Sequence, residues 1–237
     1  MQKVQAIVLS KYKYAESSII VHAYTNTFGF LSLLISGVRK AKAKQKANWF
    51  QALQIIDVEL NLKEGQELVR PKEVRLAEPL HSLQNEIYKS TVCLFLGEIL
   101  HNTLRHEQQN TVLFDFLVSA IRWFDTHPFH PDFHLLLLTK LAHFLGFKLE
   151  EAPGRYFDVL NGEFVDSPNR SHYFLEPTIS EALKVLIGTN FDEFSTRKMP
   201  RQQRQALLDG LILFYQLHLQ DWKKLKSREI LQEVMTA

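Results

Sequence analysis

The first 80 residues alternate between apolar and polar positions with the period of two that is typical of β-strands. Val4, Ala6 and Val8, for example, share one face of a short segment. Phe28-Gly29 and the polar run 63–66 are turn signals between such segments. The strand candidates are residues 3–9, 18–24, 30–36, 50–62 and 68–76. Five short strands separated by turns predict a small barrel, for which the five-stranded oligonucleotide/oligosaccharide-binding (OB) fold is the leading choice.

After Pro79 the apolar positions recur at intervals of three and four, the period of an α-helix. A first helical stripe runs through Leu83, Ile87, Ser90, Leu94, Gly97 and Leu100 or His101. Gly146 has the position of a C-cap, and Thr178-Ile-Ser-Glu181 has the spacing of a capping box. Further helices are predicted over residues 112–124, 133–147, 178–186, 200–222 and 227–234.

One segment of the helical part has the pattern of strands instead. Asn161-Gly162 lies between two alternating runs and predicts a β-hairpin at about 156–165. The whole pattern therefore predicts an α+β protein: an N-terminal five-stranded OB-fold barrel followed by an all-helical C-terminal domain with a small β-hairpin insertion. The predicted domains are residues 1–80, which would bind nucleic acid, and residues 81–237.

Composition restricts the class of protein. Hydrophobic residues make up 46% and charged residues 23% of the 237 residues, which fits a globular chain and excludes a mainly disordered one. No apolar run reaches the roughly 18–20 residues that span a bilayer. The N-terminus soon meets Lys11 and Lys13, which does not fit a signal peptide, so a cytoplasmic location is expected. Cys93 is the one cysteine, which excludes an internal disulfide and a multi-cysteine zinc site.

Charge is distributed unevenly along the chain. Residues 1–80 carry 12 Lys/Arg against 7 Asp/Glu, whereas the rest of the chain is mildly acidic. Such an asymmetry suggests a polyanion-binding part joined to another part.

A basic run within residues 37–46 is the most informative feature, because it contains five cations and no acid. Such a run can neutralise several phosphates, although it also fits a solvated loop. Lys11 and Lys13, interleaved with Tyr12 and Tyr14, form a second basic strip, whose tyrosines could stack on bases or pack on the barrel rim. The predicted nucleic-acid-binding residues are Lys11, Lys13, Arg39, Lys40, Lys42, Lys44, Lys46, Arg70 and Lys72.

Catalytic and metal-binding motifs are missing from the sequence. His127, His130 and His134 are close in sequence, but prolines interrupt the stretch and no zinc-hydrolase motif accompanies them. His101 is expected at a helix end or on the surface, and Cys93 as a buried apolar side chain. We expect no enzyme activity, no metal and no cofactor.

Residues 6–40 contain a Tyr14-Ala-Glu-Ser17 turn, Gly29-Phe-Leu-Ser32 and a Gly37-Val-Arg-Lys40 exit. Over these residues the sequence most strongly resembles the RecO family of recombination mediators. Leu145-Gly-Phe147 and Leu225-Lys-Ser-Arg228 also resemble that family. The element order agrees over the whole chain.

This resemblance implies an OB barrel with a helical C-terminal domain, in a bacterial cytosolic protein of the RecF pathway that associates with the nucleoid. It implies binding to single- and double-stranded DNA and annealing of complementary strands. It also implies association with the tail of single-strand-binding protein and with RecR, and indirect action on RecA. Many members carry four cysteines as a zinc finger between the third and fourth helices. Here residues 151–172 contain no cysteine, so zinc is not carried over.

Two other functions stay open at this point: a general barrel that binds RNA or other nucleic acid without a recombination role, and an enzyme with an unrecognised site. Protein contacts are expected from the helical domain, where an acidic tail ending in Phe would need an apolar pocket with a basic rim. The candidate partner-binding residues are Arg122, Lys140, Arg197, Lys198, Arg201 and Arg204.

Overall fold

The computed structural model describes residues 1–38, 47–63, 66, 68–147, 149–168, 173–194 and 198–236. The chain divides into two compact units. The barrel unit consists of Met1–Pro128 and Lys223–Ala237, and the helical unit consists of Phe129–Trp222. The change from strands to helices falls near residue 80, and its role as a domain boundary stays a prediction.

A curled sheet of six strands forms the N-terminal part, in the order β5-β3-β2-β1-β4-β6. The strands are β1 Gln2–Lys13, β2 Ile19–Thr25, β3 Gly29–Ile35, β4 Ile55–Leu60, β5 Leu68–Val69 and β6 Glu73–Leu76. β5 pairs in parallel with β3, and β6 pairs antiparallel with β4. Because only residues 70–72 separate β5 from β6, the two ends of the sheet are joined by the chain. The sheet therefore curls into an OB-like barrel, and the predicted α+β class is confirmed.

The strand count differs from the predicted five. The candidate 68–76 is two short strands, because Pro71 between them lacks an N–H for a ladder hydrogen bond. The candidate 50–62 is a strand only from Ile55. A 3₁₀ turn at Ala47–Phe50 and a left-handed Leu53, with φ of 64°, come before it.

The barrel interior is aliphatic, as the alternation predicts. Val4, Ala6 and Val8 of β1 are at most 4% exposed and pack with inward residues of the neighbouring strands. A bulge follows Val8, since Val8 pairs with Ala23 whereas Ser10 pairs with His22. The extra residue, Leu9, shifts the alternation for the rest of β1.

Four helices belong to the barrel unit: α1 His81–Asn85, α2 Ile87–Leu104, α3 Thr111–Thr126 and α7 Ser227–Val234. The predicted first helix is broken at Glu86, whose ψ of 120° is extended. Within the predicted stripe Gly97 and Leu100 are buried but Ile87 and Leu94 are 63% and 44% exposed, so the stripe coincides only in part with the buried face of α2. The buried face includes Gly97, where a Cβ would lie 2.4 Å from the Leu9 carbonyl oxygen. This glycine lets α2 lie directly on β1.

The helical unit contains α4 Phe133–Phe144, α5 Pro177–Gly188 and α6 Arg201–His218. The capping-box prediction is wrong, because α5 begins at Pro177 and its N-cap makes no side-chain hydrogen bond. The Ser180 hydroxyl instead donates to the Leu175 carbonyl and accepts from the Phe157 N–H. α6 ends four residues before the predicted Trp222, since Leu219 is extended.

The predicted hairpin is present as β7 Tyr156–Asp158 and β8 Glu163–Val165, and β9 Phe174–Leu175 adds a third strand. The buried Asp158 carboxylate accepts hydrogen bonds from the N–H groups of Leu160 and Asn161, and Gly162 adopts a φ of 71°. Phe157 and Phe164 pack with ring centroids 5.0 Å apart. Across the described residues there is no group of three His, Cys, Asp or Glu side chains that could hold a metal ion. No described helix is long and apolar enough to cross a membrane.

Candidate nucleic-acid interface

One end of the barrel brings basic side chains together. Because of the bulge at Leu9, Lys11 and Lys13 pair with Val21 and Ile19 and lie on the inward-facing side of β1, at its last residues. The Lys11 ammonium donates to the Ala47 carbonyl oxygen at 2.9 Å, and burial lowers the pKa of Lys11. Both lysines therefore lie at the barrel end that meets residue 47.

The described residues on either side of the run of five basic residues lie at the same barrel end. Ile35, the last residue of β3, pairs with Ile19, the partner of Lys13. Ala47, the first described residue after the run, accepts the hydrogen bond from Lys11. Arg39, Lys40, Lys42, Lys44 and Lys46 themselves lie outside the described residues.

Arg70 and Lys72 are exposed, but Lys72 lies on a surface of mixed charge. The Lys72 backbone N–H donates to the Glu59 carbonyl, and ion pairs Lys3–Glu59 and Arg75–Glu73 lie nearby at 3.2 and 2.9 Å. Carboxylates offset the cations there, so this mixed-charge surface attracts phosphate less than the end with Lys11 and Lys13.

An aromatic row crosses the outer side of strands β1, β2 and β3. After the bulge Tyr12 points outward, and its ring lies 5.2 Å from that of His22, which stacks at 5.3 Å on Phe30. His101 of α2 meets both His22, at 4.7 Å, and Phe30, at 5.5 Å. We call Tyr12, His22, Phe30 and His101 the aromatic cluster. Tyr12 is 47% exposed, while the other three are half-buried.

Burial lowers the pKa of both histidines of the aromatic cluster. For His101 the pKa falls to about 4, with further contributions from His22, Lys223 and Arg105. The pKa of His22 is lowered by burial and then by the charge of Lys223. Hydrogen bonds orient the rings, since Ser32 Oγ lies 3.0 Å from His22 Nδ1 and Ser10 Oγ lies 2.9 Å from His101 Nδ1.

Sequence reasoning missed this cluster and expected His101 at a helix end or on the surface. Its members are brought together by strand register and by the packing of α2 on the sheet. The one signal in the sequence was the outward position of His22, two residues from Tyr24. The bulge that aligns Tyr12 with His22 has no sequence signature.

Three of the candidate partner residues are engaged within the protein. Arg122 pairs with Glu78 at 2.8 Å, and the Lys140 ammonium donates to the Ile187 carbonyl at 2.7 Å. Burial lowers the pKa of Lys140. Arg204 forms a buried ion pair with Asp132. Lys198 and Arg201 are exposed, and Arg197 lies outside the described residues.

The helical unit also contains a cavity of about 480 Å³ beside Lys198. Its apolar wall includes Val185, Phe194 and Met199, and its polar rim includes Glu181 and Glu193. Apolar walls with a few polar groups are typical of a site for a small ligand or a peptide side chain.

Comparisons with known proteins point to one family along the chain. The family model described as Recombination protein O N terminal matches residues 1–80, and the model of its C-terminal part matches residues 84–152. A DNA repair protein RecO from Flavobacterium psychrophilum is 36% identical over 99% of both chains. Proteins of that name from Bacteroides fragilis and Porphyromonas gingivalis are 34% and 27% identical over 99% and 96% of both chains.

Proposed function

The chain belongs to the RecO family of DNA repair proteins, and from this premise we propose that it is a non-enzymatic recombination mediator. It binds single- and double-stranded DNA and anneals complementary strands. The observation that carries the proposal is the basic barrel end, where Lys11 and Lys13 lie beside Ile35 and Ala47, described residues on either side of the run 39–46. Lysines in such a place meet phosphates as point charges, so they hold a strand without reading its sequence.

We assign DNA contacts to the barrel within residues 1–80 and protein contacts to residues 81–237. The partners are the acidic tail of single-strand-binding protein and RecR, with RecA loaded indirectly, in the bacterial cytoplasm at the nucleoid. For the tail we favour the cavity beside Lys198, because it combines an apolar wall with an exposed cation. Glu181 and Glu193 limit how much acidic charge it can accept.

The decisive experiment measures annealing of complementary strands coated with the cognate single-strand-binding protein. We expect the full chain to accelerate annealing, and we expect the acceleration to disappear when that protein lacks its acidic tail. The variant Lys42→Ala/Lys44→Ala/Lys46→Ala should weaken DNA binding. It should also flatten the slope of log affinity against log salt by up to ~2, since each lysine on a single strand contributes roughly 0.7.

A control and an alternative outcome keep the test sharp. The variant Lys3→Gln/Arg75→Gln/Arg155→Gln removes the same charge from other exposed positions, and it should leave annealing and the salt slope nearly unchanged. Equal affinity for matched RNA and single-stranded DNA, with no annealing, would instead support a general nucleic-acid-binding barrel.

A further inference from the structure

We infer that the C-terminal basic segment, Lys223–Arg228, and the aromatic cluster form a contact surface for single-stranded DNA on the outer side of the barrel. This inference rests on the proposed function and extends its DNA contacts beyond residues 1–80, to His101 and residues 223–228 of the same unit. It adds a second stretch to the strand's path, adjoining the basic barrel end at Tyr12. Four of the six residues of the segment are basic and none is acidic.

The segment is fixed to the barrel unit by specific contacts. The Asn102 side chain donates to the Lys223 carbonyl and accepts from the Lys223 N–H, at 3.1 and 3.0 Å. The Glu98 carboxylate accepts from the N–H and the hydroxyl of Ser227, and Leu225 is buried. Both anchors, Glu98 and Asn102, belong to α2, the helix that also carries His101. The segment therefore has a defined place beside the aromatic cluster.

The same anchors leave the lysine side chains available. Lys223, Lys224 and Lys226 are exposed, whereas Leu225 and Ser227 are the buried residues of the segment. Within the described part of the chain none of these three lysines takes part in an ion pair. Three unpaired ammonium groups on one short segment are suited to a phosphate backbone.

The basic segment and the rings of the aromatic cluster lie close to each other. Lys223 is near enough to His22 and His101 that its charge contributes to the lowered pKa of both. His22 and Arg105 also act on His101, and no carboxylate contributes to the lowered pKa of either histidine. At neutral pH both imidazoles are therefore uncharged rings beside an ammonium group.

This combination fits single-stranded nucleic acid better than a protein. Barrels that hold single strands stack bases on aromatic side chains and place cations along the backbone, without reading the sequence. Tyr12 offers an exposed ring at the end of the row, and the half-buried rings of His22 and Phe30 continue it across the sheet. A purely structural role, in which the rings only hold α2 against the strands, would not need the flanking lysines.

The test measures binding of a fluorescent oligo(dT), and of an oligonucleotide containing 2-aminopurine, to the full chain at several salt concentrations. We expect Lys223→Gln/Lys224→Gln/Lys226→Gln to flatten the salt slope by up to ~2. The control variant Lys3→Gln/Arg75→Gln/Arg155→Gln, which removes the same charge, should not flatten it. We expect Tyr12→Leu to lose about tenfold in affinity and to reduce the quenching of 2-aminopurine, with the salt slope unchanged.

Each result has a distinct meaning. If the lysine variant and its control behave alike, the C-terminal segment does not contact DNA. If Tyr12→Leu folds by circular dichroism and keeps both affinity and quenching, the aromatic cluster is structural and the inference is wrong. If the unaltered protein binds neither oligonucleotide, the proposed function itself fails, which is a different outcome from failure of this surface alone.

Discussion

The barrel and the helical unit differ in what they bury. Along the described strands β1–β6 the one buried polar residue is Thr25, whose hydroxyl donates to the Gly29 carbonyl within its own turn. The helical unit buries Asp132, His134 and Asp158 among its apolar side chains. The barrel is thus stabilised by non-directional apolar burial and carries its polar chemistry outside. The helical unit depends on particular partners for particular polar groups.

The contrast is clearest at Asp132, which is 3% exposed. One carboxylate oxygen pairs with Arg204 at 3.1 Å, and the other accepts from the Met199 N–H at 2.7 Å. Arg204 also donates to the Met199 carbonyl. The pair therefore ties the start of α4 to the chain that leads into α6.

The largest effect is expected when this pair is broken. Arg204→Met leaves the Asp132 carboxylate buried without its counter-charge, which costs about 3–5 kcal/mol of unfolding free energy. Urea unfolding monitored by circular dichroism measures this loss. On the barrel, Arg75→Met removes one partner of a solvent-exposed pair with Glu73 and should lower the unfolding free energy far less than Arg204→Met does. Similar losses of unfolding free energy in both variants would contradict the distinction between the two regions.

Two glycines in helices allow a second comparison, in which the expected effects on stability are smaller. At Gly97 of α2 an added Cβ would lie 2.4 Å from the Leu9 backbone carbonyl, whereas at Gly210 of α6 it would meet the Leu175 side chain at the same distance. A side chain can rotate away and a sheet backbone cannot. We therefore expect Gly97→Ala to destabilise the protein by about 1–3 kcal/mol. Gly210→Ala should cost less, because the repacking of Leu175 is offset by the better helix propensity of Ala. The measurement is thermal unfolding of the two variants side by side, and a larger loss at Gly210 would contradict the argument.

The sequence predicted the fold where local pattern decides it. Alternation identified β1 to β4, the Asn161-Gly162 pair identified the hairpin, and Gly146 ends α4 with a φ of 79° as a C-cap does. The prediction that Cys93 is buried is confirmed, and burial raises the pKa of its thiol. These features depend on neighbours in the chain, so their signals are present in single segments.

What the sequence did not predict depends on contacts between distant segments. The buried face of α2 is set by Gly97 packing on β1, so Leu94 is exposed despite its place in the helical stripe. The aromatic cluster needs the register of three strands together with His101 of α2. The return of Lys223 to the barrel unit is likewise a tertiary event, fixed by Asn102 far away in the sequence. The basic residues could be identified from the sequence, but not which of them share a surface.

The smallest expected effect concerns pH, and it again separates the two regions. His134 is 1% exposed, and burial lowers its pKa from the usual 6.5 to about 3, with smaller contributions from Arg204 and His130. Because the pKa of His134 is lower in the folded state, between pH 6.5 and 3 its imidazole binds a proton in the unfolded chain but not in the folded chain. The stability from neutral His134 is therefore present above pH 6.5 and is lost as the pH falls towards 3, by up to about 1.4 kcal/mol per pH unit.

Between pH 6 and pH 5 the urea midpoint should fall less in His134→Leu than in the unaltered protein. The barrel interior, with no titratable side chain among the residues of its apolar cluster, contributes no such slope, whereas His101 and His22 on its outer side do, because their pKa values are lowered too. Identical pH profiles for the two proteins would mean that His134 is protonated in the fold, and that the interior of the helical unit is no more sensitive to acid than the barrel interior.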